Sequence, residues 1–197
     1  MIIGILSMQG AIEEHEAAFR KLDLTTLRVK KPVDLQSVDG LVFPGGESTT
    51  MIRLMALSGL FEPLAELIGR KKMPVYGTCA GMILLSKGVT NYSEQRCLGL
   101  IDIWVERNAF GRQIDSFEAP IMIDDLGKEA FPAVFIRAPL IRHIGPEVRL
   151  MATYRQEAIM ARQDNVLVSA FHPELTGDLR IHMYFSQMVS GWRHSQS

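Results

Sequence analysis

The stretch 73-MPVYGTCAGMILLS-86 carries the strongest chemical signal in the chain. Cys79, one of only two cysteines, stands in Gly77-Thr78-Cys79-Ala80-Gly81, where an apolar strand pattern passes at once into an apolar helix pattern. This G-x-Cys-x-G form is a nucleophile elbow with Cys in place of Ser. The flanking glycines permit a tight turn and remove side chains that would collide with neighbouring elements. The turn sets Sγ above the sheet at the start of a helix expected over 80–87, and helix N-termini favour thiolates. A second reactive group lies far downstream, in Phe171-His172-Pro173-Glu174. In extended backbone, positions i and i+2 point the same way, and Pro173 biases the chain toward that geometry. Glu174 is then placed to hold one nitrogen of His172 while the other meets the thiol. Nucleophile, base and orienting carboxylate form a triad that is recognised by geometry, not by chain order.

A third motif, 40-GLVFPGGE-47, opens like a phosphate-binding loop. It then places Gly46 and Glu47 where such a loop needs Lys and Ser/Thr. A carboxylate there would repel the anion, so nucleotide binding is rejected. Two glycines at a strand end expose backbone N–H groups instead, and those of Gly46 and Ala80 are expected to form an oxyanion hole.

Distant residues meet only if the fold brings them together, and the first half of the sequence supplies the means. Residues 2–8, 40–44 and 73–76 read as buried strands, 24–30 as a further strand, and 11–22 and 61–69 as helices. Ser48-Thr49-Thr50 is expected to cap a helix after the diglycine. This β-α-β-α rhythm predicts a three-layer α/β sandwich around a mostly parallel, flavodoxin-like sheet. All three motifs follow strands, and ligands in such sheets sit beyond the C-terminal strand ends. The second half is β-rich, with strands expected at 98–105, 114–123, 133–137, 148–153, 157–162 and 166–171. A closing helix puts Ile181, Tyr184, Phe185, Met188, Val189 and Trp192 on one face, with Asp178 as its cap.

Composition narrows the function classes. The 197 residues suit a single domain spanning 1–197, with 47% hydrophobic and 22% charged residues and a net charge of −1. That charge offers no footprint for nucleic acid or an anionic membrane. The apolar start MIIGILSMQG is too short to span a bilayer and lacks signal-peptide features. Arg70-Lys71-Lys72 complements a helix C-terminus. With two cysteines and no export signal, the chain reads as cytoplasmic and reduced. Glu13, Glu14, His15 and Glu16 read as a solvated helix face. His143, His182 and His194 also lack ligand spacing, so no metal is expected. No GxGxxG follows a strand, and no cofactor is expected.

The elbow, the PGG loop and the H-P-E triplet together resemble the class I (triad) glutamine amidotransferases. The segments 6-LSMQGAIEEH-15, 44-PGGESTT-50, 77-GTCAGMILL-85, 105-VERNAFGRQIDSFE-118, 135-FIRAP-139 and 171-FHPELT-176 narrow the resemblance to one family. They resemble the glutaminase subunit of pyridoxal 5′-phosphate synthase (the PdxT/Sno family) across essentially the whole chain. The departures, Ser7-Met8 and Met82, touch no chemical role. The resemblance implies hydrolysis of L-glutamine to glutamate and ammonia. It also implies a partner, the synthase subunit PdxS/Snz, which is a TIM barrel forming a dodecameric core. Carried onto this sequence, it makes Cys79 the nucleophile, His172 the general base and acid, and Glu174 its orienting group. Gly46, Glu47 and Ser48 would line the glutamine pocket, completed by Arg107, Ile136 and Arg137. Independently, an Arg fork suits the α-carboxylate of an amino acid. Gln9, after the first strand, is expected to arrange the oxyanion loop or meet the partner. Two rivals remain open: a stand-alone γ-glutamyl hydrolase or cysteine peptidase of the same fold, and a non-catalytic scaffold that keeps the triad only as packing.

Overall fold

Short apolar runs form the parallel half of the sheet in the computed structural model, which describes residues 1–109 and 116–196. β1 (Ile2–Leu6), β3 (Gly40–Phe43), β4 (Val75–Thr78) and β12 (Val166–Ser169) lie side by side in that order, all parallel, with β2 (Thr25–Val29) outside β1. Both faces of β3, β4 and β12 are buried, which is why these strands read as unbroken apolar runs rather than alternating ones. Helices α1 (Ile12–Arg20), α2 (Ser48–Leu57), α3 (Phe61–Gly69) and α4 (Ala80–Leu85) link the strands. The closing helix α5 (Arg180–Gln196) buries Ile181, Phe185 and Val189 in the core, with Tyr184, Met188 and Trp192 packed partly against it. The α/β class and the mostly parallel core follow the expectation.

Beyond β12 the sheet turns antiparallel. β11 (Glu157–Gln163), β9 (Leu140–Ile144) and β6 (Ile101–Glu106) follow in that order, β5 (Ser86–Val89) closes the edge parallel to β6, and β10 (Arg149–Tyr154) pairs with β11. A separate hairpin pairs β7 (Ser116–Ile121) with β8 (Phe131–Ile136). Among the described strands, β5 and β9 depart from the sequence expectation. The helix expected over 80–87 stops at Leu85 because Ser86 turns to extended backbone and the chain joins β6. None of the described helices is long and apolar enough to cross a membrane.

Candidate active site

Parallel neighbours deliver their C-terminal ends to one edge of the sheet, and there four loops meet. β1 runs into Gln9, β3 into Gly45-Gly46-Glu47, β4 into Cys79, and β12 toward His172. The register aligns Ser169 with Thr78, and the Cys79 N–H continues the ladder by donating to the Ser169 carbonyl at 2.8 Å. Cys79 itself adopts φ 49°, ψ −103°. A side chain in such a region carries strain of roughly 1–3 kcal/mol, tolerated only where the surroundings impose it. The surroundings here are tight: a Cβ on Gly81 would overlap the Phe43 carbonyl, so α4 can start this close to β3 only with glycine.

His172 is fixed from both sides. Its N–H donates to the Val134 carbonyl of β8 at 2.8 Å, and its Nδ1 lies 2.7 Å from Glu174 Oε1. The i, i+2 approach does not come from extended backbone, as the sequence suggested. Pro173–Leu175 form a 3-10 turn, with proline at the first helical position where its fixed φ fits, and the turn folds the carboxylate back onto the ring. The imidazole is held by the Glu174 carboxylate and interacts with the Cys79 thiol beside it in the same cavity. Burial lowers its pKa, but hydrogen bonds and charge from Cys79 and Glu174 outweigh that and raise it to about 10. Burial likewise raises Glu174, yet the facing His15 and His172 prevail and hold it below the ordinary carboxylate value.

A cavity of about 320 Å³ opens in front of the sulfur. Every residue singled out from the sequence for catalysis or glutamine binding lines it, except Glu174, which is buried behind His172. The Ile136 carbonyl lies 3.8 Å from Cys79 Sγ, and Arg137, next along, has φ 42°. The Gln9 amide oxygen accepts the Glu47 N–H at 2.6 Å, tying the diglycine loop to the end of β1. A larger cavity, about 620 Å³, lies beside Arg162 and Trp192 and contains neither cysteine nor histidine.

The rim departs from the sequence reading in one respect. Glu47, not Ser48-Thr49-Thr50, caps α2: its carboxylate accepts the N–H groups of Thr49 at 3.1 Å and Thr50 at 2.7 Å. The reason is reach, since Glu47 alone stands in extended backbone before the helix and can fold back on the free N–H groups. Arg107 Nη2 donates to Glu47 Oε1 at 3.3 Å, and Nη1 to Gln95 Oε1 at 3.1 Å. Gln95, which no motif flagged, also accepts from the Ser48 hydroxyl at 3.2 Å. Of the motif 105–118, residues 110–115 lie outside the described residues.

The acidic face of α1 is also corrected. His15 is fully buried, its Nε2 3.5 Å from Glu174 Oε2 and 3.4 Å from Thr78 Oγ1, and its Nδ1 3.1 Å from Nε2 of the buried His182. His15, Ala18 and Phe19 form the inward stripe of α1 at i, i+3, i+4. That spacing, rather than the surrounding glutamates, was the signal to follow.

The sequence matches the model of the SNO glutamine amidotransferase family over residues 5–191. The chain belongs to that family. Among its relatives, the proteins named pyridoxal 5′-phosphate synthase subunit PdxT from Carboxydothermus hydrogenoformans and Thermosipho africanus are 52% and 53% identical to it, each over 189 residues. The alignments cover 96% of this chain and 98% and 99% of theirs. A crystal structure described as a glutamine amidotransferase superposes with a TM-score of 0.91 at 39% identity, covering 96% of this chain and all of that one. The fold, without close sequence kinship, also recurs in a glutamine amidotransferase from Thermotoga maritima. There the TM-score is 0.62 at 16% identity, covering 98% of this chain and 84% of that one. For this SNO-family chain, the convergence of Cys79, His172 and Glu174 at one cavity is a geometry suited to acyl transfer from an amide.

Proposed function

We propose that this chain is the glutamine-hydrolysing subunit of pyridoxal 5′-phosphate synthase and supplies ammonia to a synthase subunit of the TIM-barrel PdxS/Snz type with a dodecameric core. The observation that carries this reading is the His172 ring held between the Cys79 sulfur and the Glu174 carboxylate at the wall of the cavity. The near-complete alignment to proteins named as PdxT supports the choice of partner over a stand-alone hydrolase.

The Cys79 thiolate attacks the side-chain amide carbon of glutamine. The N–H groups of Gly46 and Ala80 receive the developing oxyanion; losing one such donor typically slows acyl transfer about 10²–10³-fold. Imidazolium at His172 then gives its proton to the departing nitrogen, releasing ammonia and leaving a γ-glutamyl thioester. Acylation removes the negative sulfur that had raised the His172 pKa, so the ring becomes a competent base. It takes a proton from water, hydroxide adds to the thioester, and glutamate leaves as the thiolate reforms. Arg107 is the cation for the substrate α-carboxylate, and Ser48 and the backbone around Ile136 and Arg137 complete the pocket. Both cysteines are free, and a thiol nucleophile calls for a reducing compartment, which favours the cytoplasm.

The test is ammonia release from glutamine with the synthase subunit present. Cys79→Ala should lose activity by on the order of 10⁴ or more, by analogy with serine-protease triads. Wild-type turnover should depend on the partner, whose docking completes the diglycine loop. Equal turnover with and without the synthase would favour the stand-alone hydrolase, and an active Cys79→Ala would remove the nucleophile from the scheme.

A further inference from the structure

Glu174 has two oxygens, and the triad uses one. Oε1 holds His172, while Oε2 is shielded from water and has no hydrogen bond within strict geometry among the described residues. His15 Nε2 lies 3.5 Å from it, within ion-pair range. His15 sits on α1, fully buried, with His182 of α5 behind it at 3.1 Å. The groups facing this cluster come from four elements: Glu14 on α1, Tyr76, Thr78 and Cys79 on and after β4, His172 after β12, and His182 on α5.

The proton arrangement follows by elimination. Burial, the largest influence on both rings, lowers the pKa of His15 and of His182, so each carries a single ring proton near neutral pH. If His15 held its proton on Nδ1, its Nε2 lone pair could accept from the Thr78 hydroxyl at 3.4 Å, but Glu174 Oε2 would be left without a donor, and His182 would bury an unpaired N–H. With the proton on Nε2, His15 donates toward Glu174, and its Nδ1 accepts the Nε2–H of His182. Left over in this cluster is the His182 Nδ1 lone pair, which is, with Glu174 Oε2, a buried side-chain atom without a partner among the described residues. Unmet acceptors are tolerated in interiors more readily than unmet donors.

We propose that His15 is a positioning residue for the glutaminase reaction: its Nε2–H holds Glu174 Oε2, and His182 fixes the His15 tautomer, so the carboxylate cannot rotate away from His172. The triad is thereby extended into a chain of five side chains, Cys79, His172, Glu174, His15 and His182, from four separate segments, ending on α5. This rests on the reading of Cys79, His172 and Glu174 given above.

The first test needs no variant. Nitrogen-15 spectra of the wild-type protein should show His15 with a protonated Nε2 and a bare Nδ1; the opposite tautomer would overturn the proposal. The second uses ammonia release in the complex with the synthase subunit. His15→Leu should lower kcat about 10- to 100-fold, the range seen when outer partners of metal-ligating histidines are removed, with little change in KM for glutamine. It should also move the acid limb of kcat/KM to higher pH, because a carboxylate stripped of a donor protonates more readily. His15→Gln, which can still present an N–H at similar reach, should recover most of both. A folded His15→Leu with wild-type kcat and acid limb would refute the role, as would a folded His15→Gln no better than His15→Leu. If His15→Leu fails to fold, His182→Leu should still free the His15 tautomer in the nitrogen spectra, and an unchanged tautomer would refute the link. Should wild type and Cys79→Ala release ammonia equally, the underlying reaction is wrong; should only the His15 variants behave as wild type, this inference alone fails.

Discussion

Glu47 and Glu174 are both carboxylates held ionised at the same site, one at the rim and one behind the wall, and the means differ. The Glu47 side chain is 45% exposed and meets backbone N–H groups, a threonine hydroxyl and the Arg107 guanidinium. Burial would raise its pKa, but the Thr49 and Thr50 hydrogen bonds bring it down to about 2. Glu174 is wholly shielded, and its opposing groups are two imidazoles. At the rim, water can replace any partner that is lost. Behind the wall it cannot, so each partner there counts for more.

The change that should break this contrast most sharply is Glu174→Gln. By analogy with the carboxylate of serine-protease triads, it should lower kcat by on the order of 10⁴, with glutamine KM nearly unmoved. A loss under about tenfold would mean that His172 needs no orienting charge and that the two carboxylates are equivalent. Glu47→Ala should act on stability instead. Removing a helix cap costs about 1 kcal/mol, read as a lower denaturation midpoint. KM should rise as well, because Arg107 loses its tether.

The smallest effect expected is on the pH dependence of folding. Glu47 has a folded value near 2 against an ordinary 4.5, so its contribution is complete above 4.5 and fades as pH falls toward 2. Glu174, also lowered, loses its share on the same acid side. His172 runs the other way: raised from 6.5 to about 10, it contributes fully below 6.5 and loses that contribution as pH rises through 10. Denaturation midpoints across pH should therefore fall at both extremes, and Glu47→Gln should flatten only the slope between 4.5 and about 2. A variant that also changed the alkaline limb would couple the rim to the wall.

The same division marks what could be read from the sequence. Strands β1, β3, β4 and β12 announce themselves because both faces are covered and apolar runs result, and the motifs at their ends carry their chemistry in residue type and spacing. β5, with Ser86-Lys87-Gly88-Val89, has neither run nor alternation, and its place comes from pairing with β6. β9 is half polar at an exposed end, where tertiary pairing overrides local preference. His15 was hidden by its neighbours: three glutamates in 13–16 suggest water, and only the position of the ring on the inward stripe reveals otherwise. Gln95 gave no signal at all, since a lone glutamine in a loop is ordinary until a guanidinium from another segment arrives beside it.

The backbone torsion at Cys79, φ 49°, restricts which side chains can stand there. Serine or alanine can occupy that position, as each carries a single unbranched substituent on Cα. Threonine and valine cannot do so without distorting the bend, because a branched β-carbon clashes at positive φ. Two of nature's hydroxyl nucleophiles are thus not equally open to this enzyme: a redesign could trade sulfur for serine's oxygen, whereas threonine is barred by shape before its reactivity is ever tried.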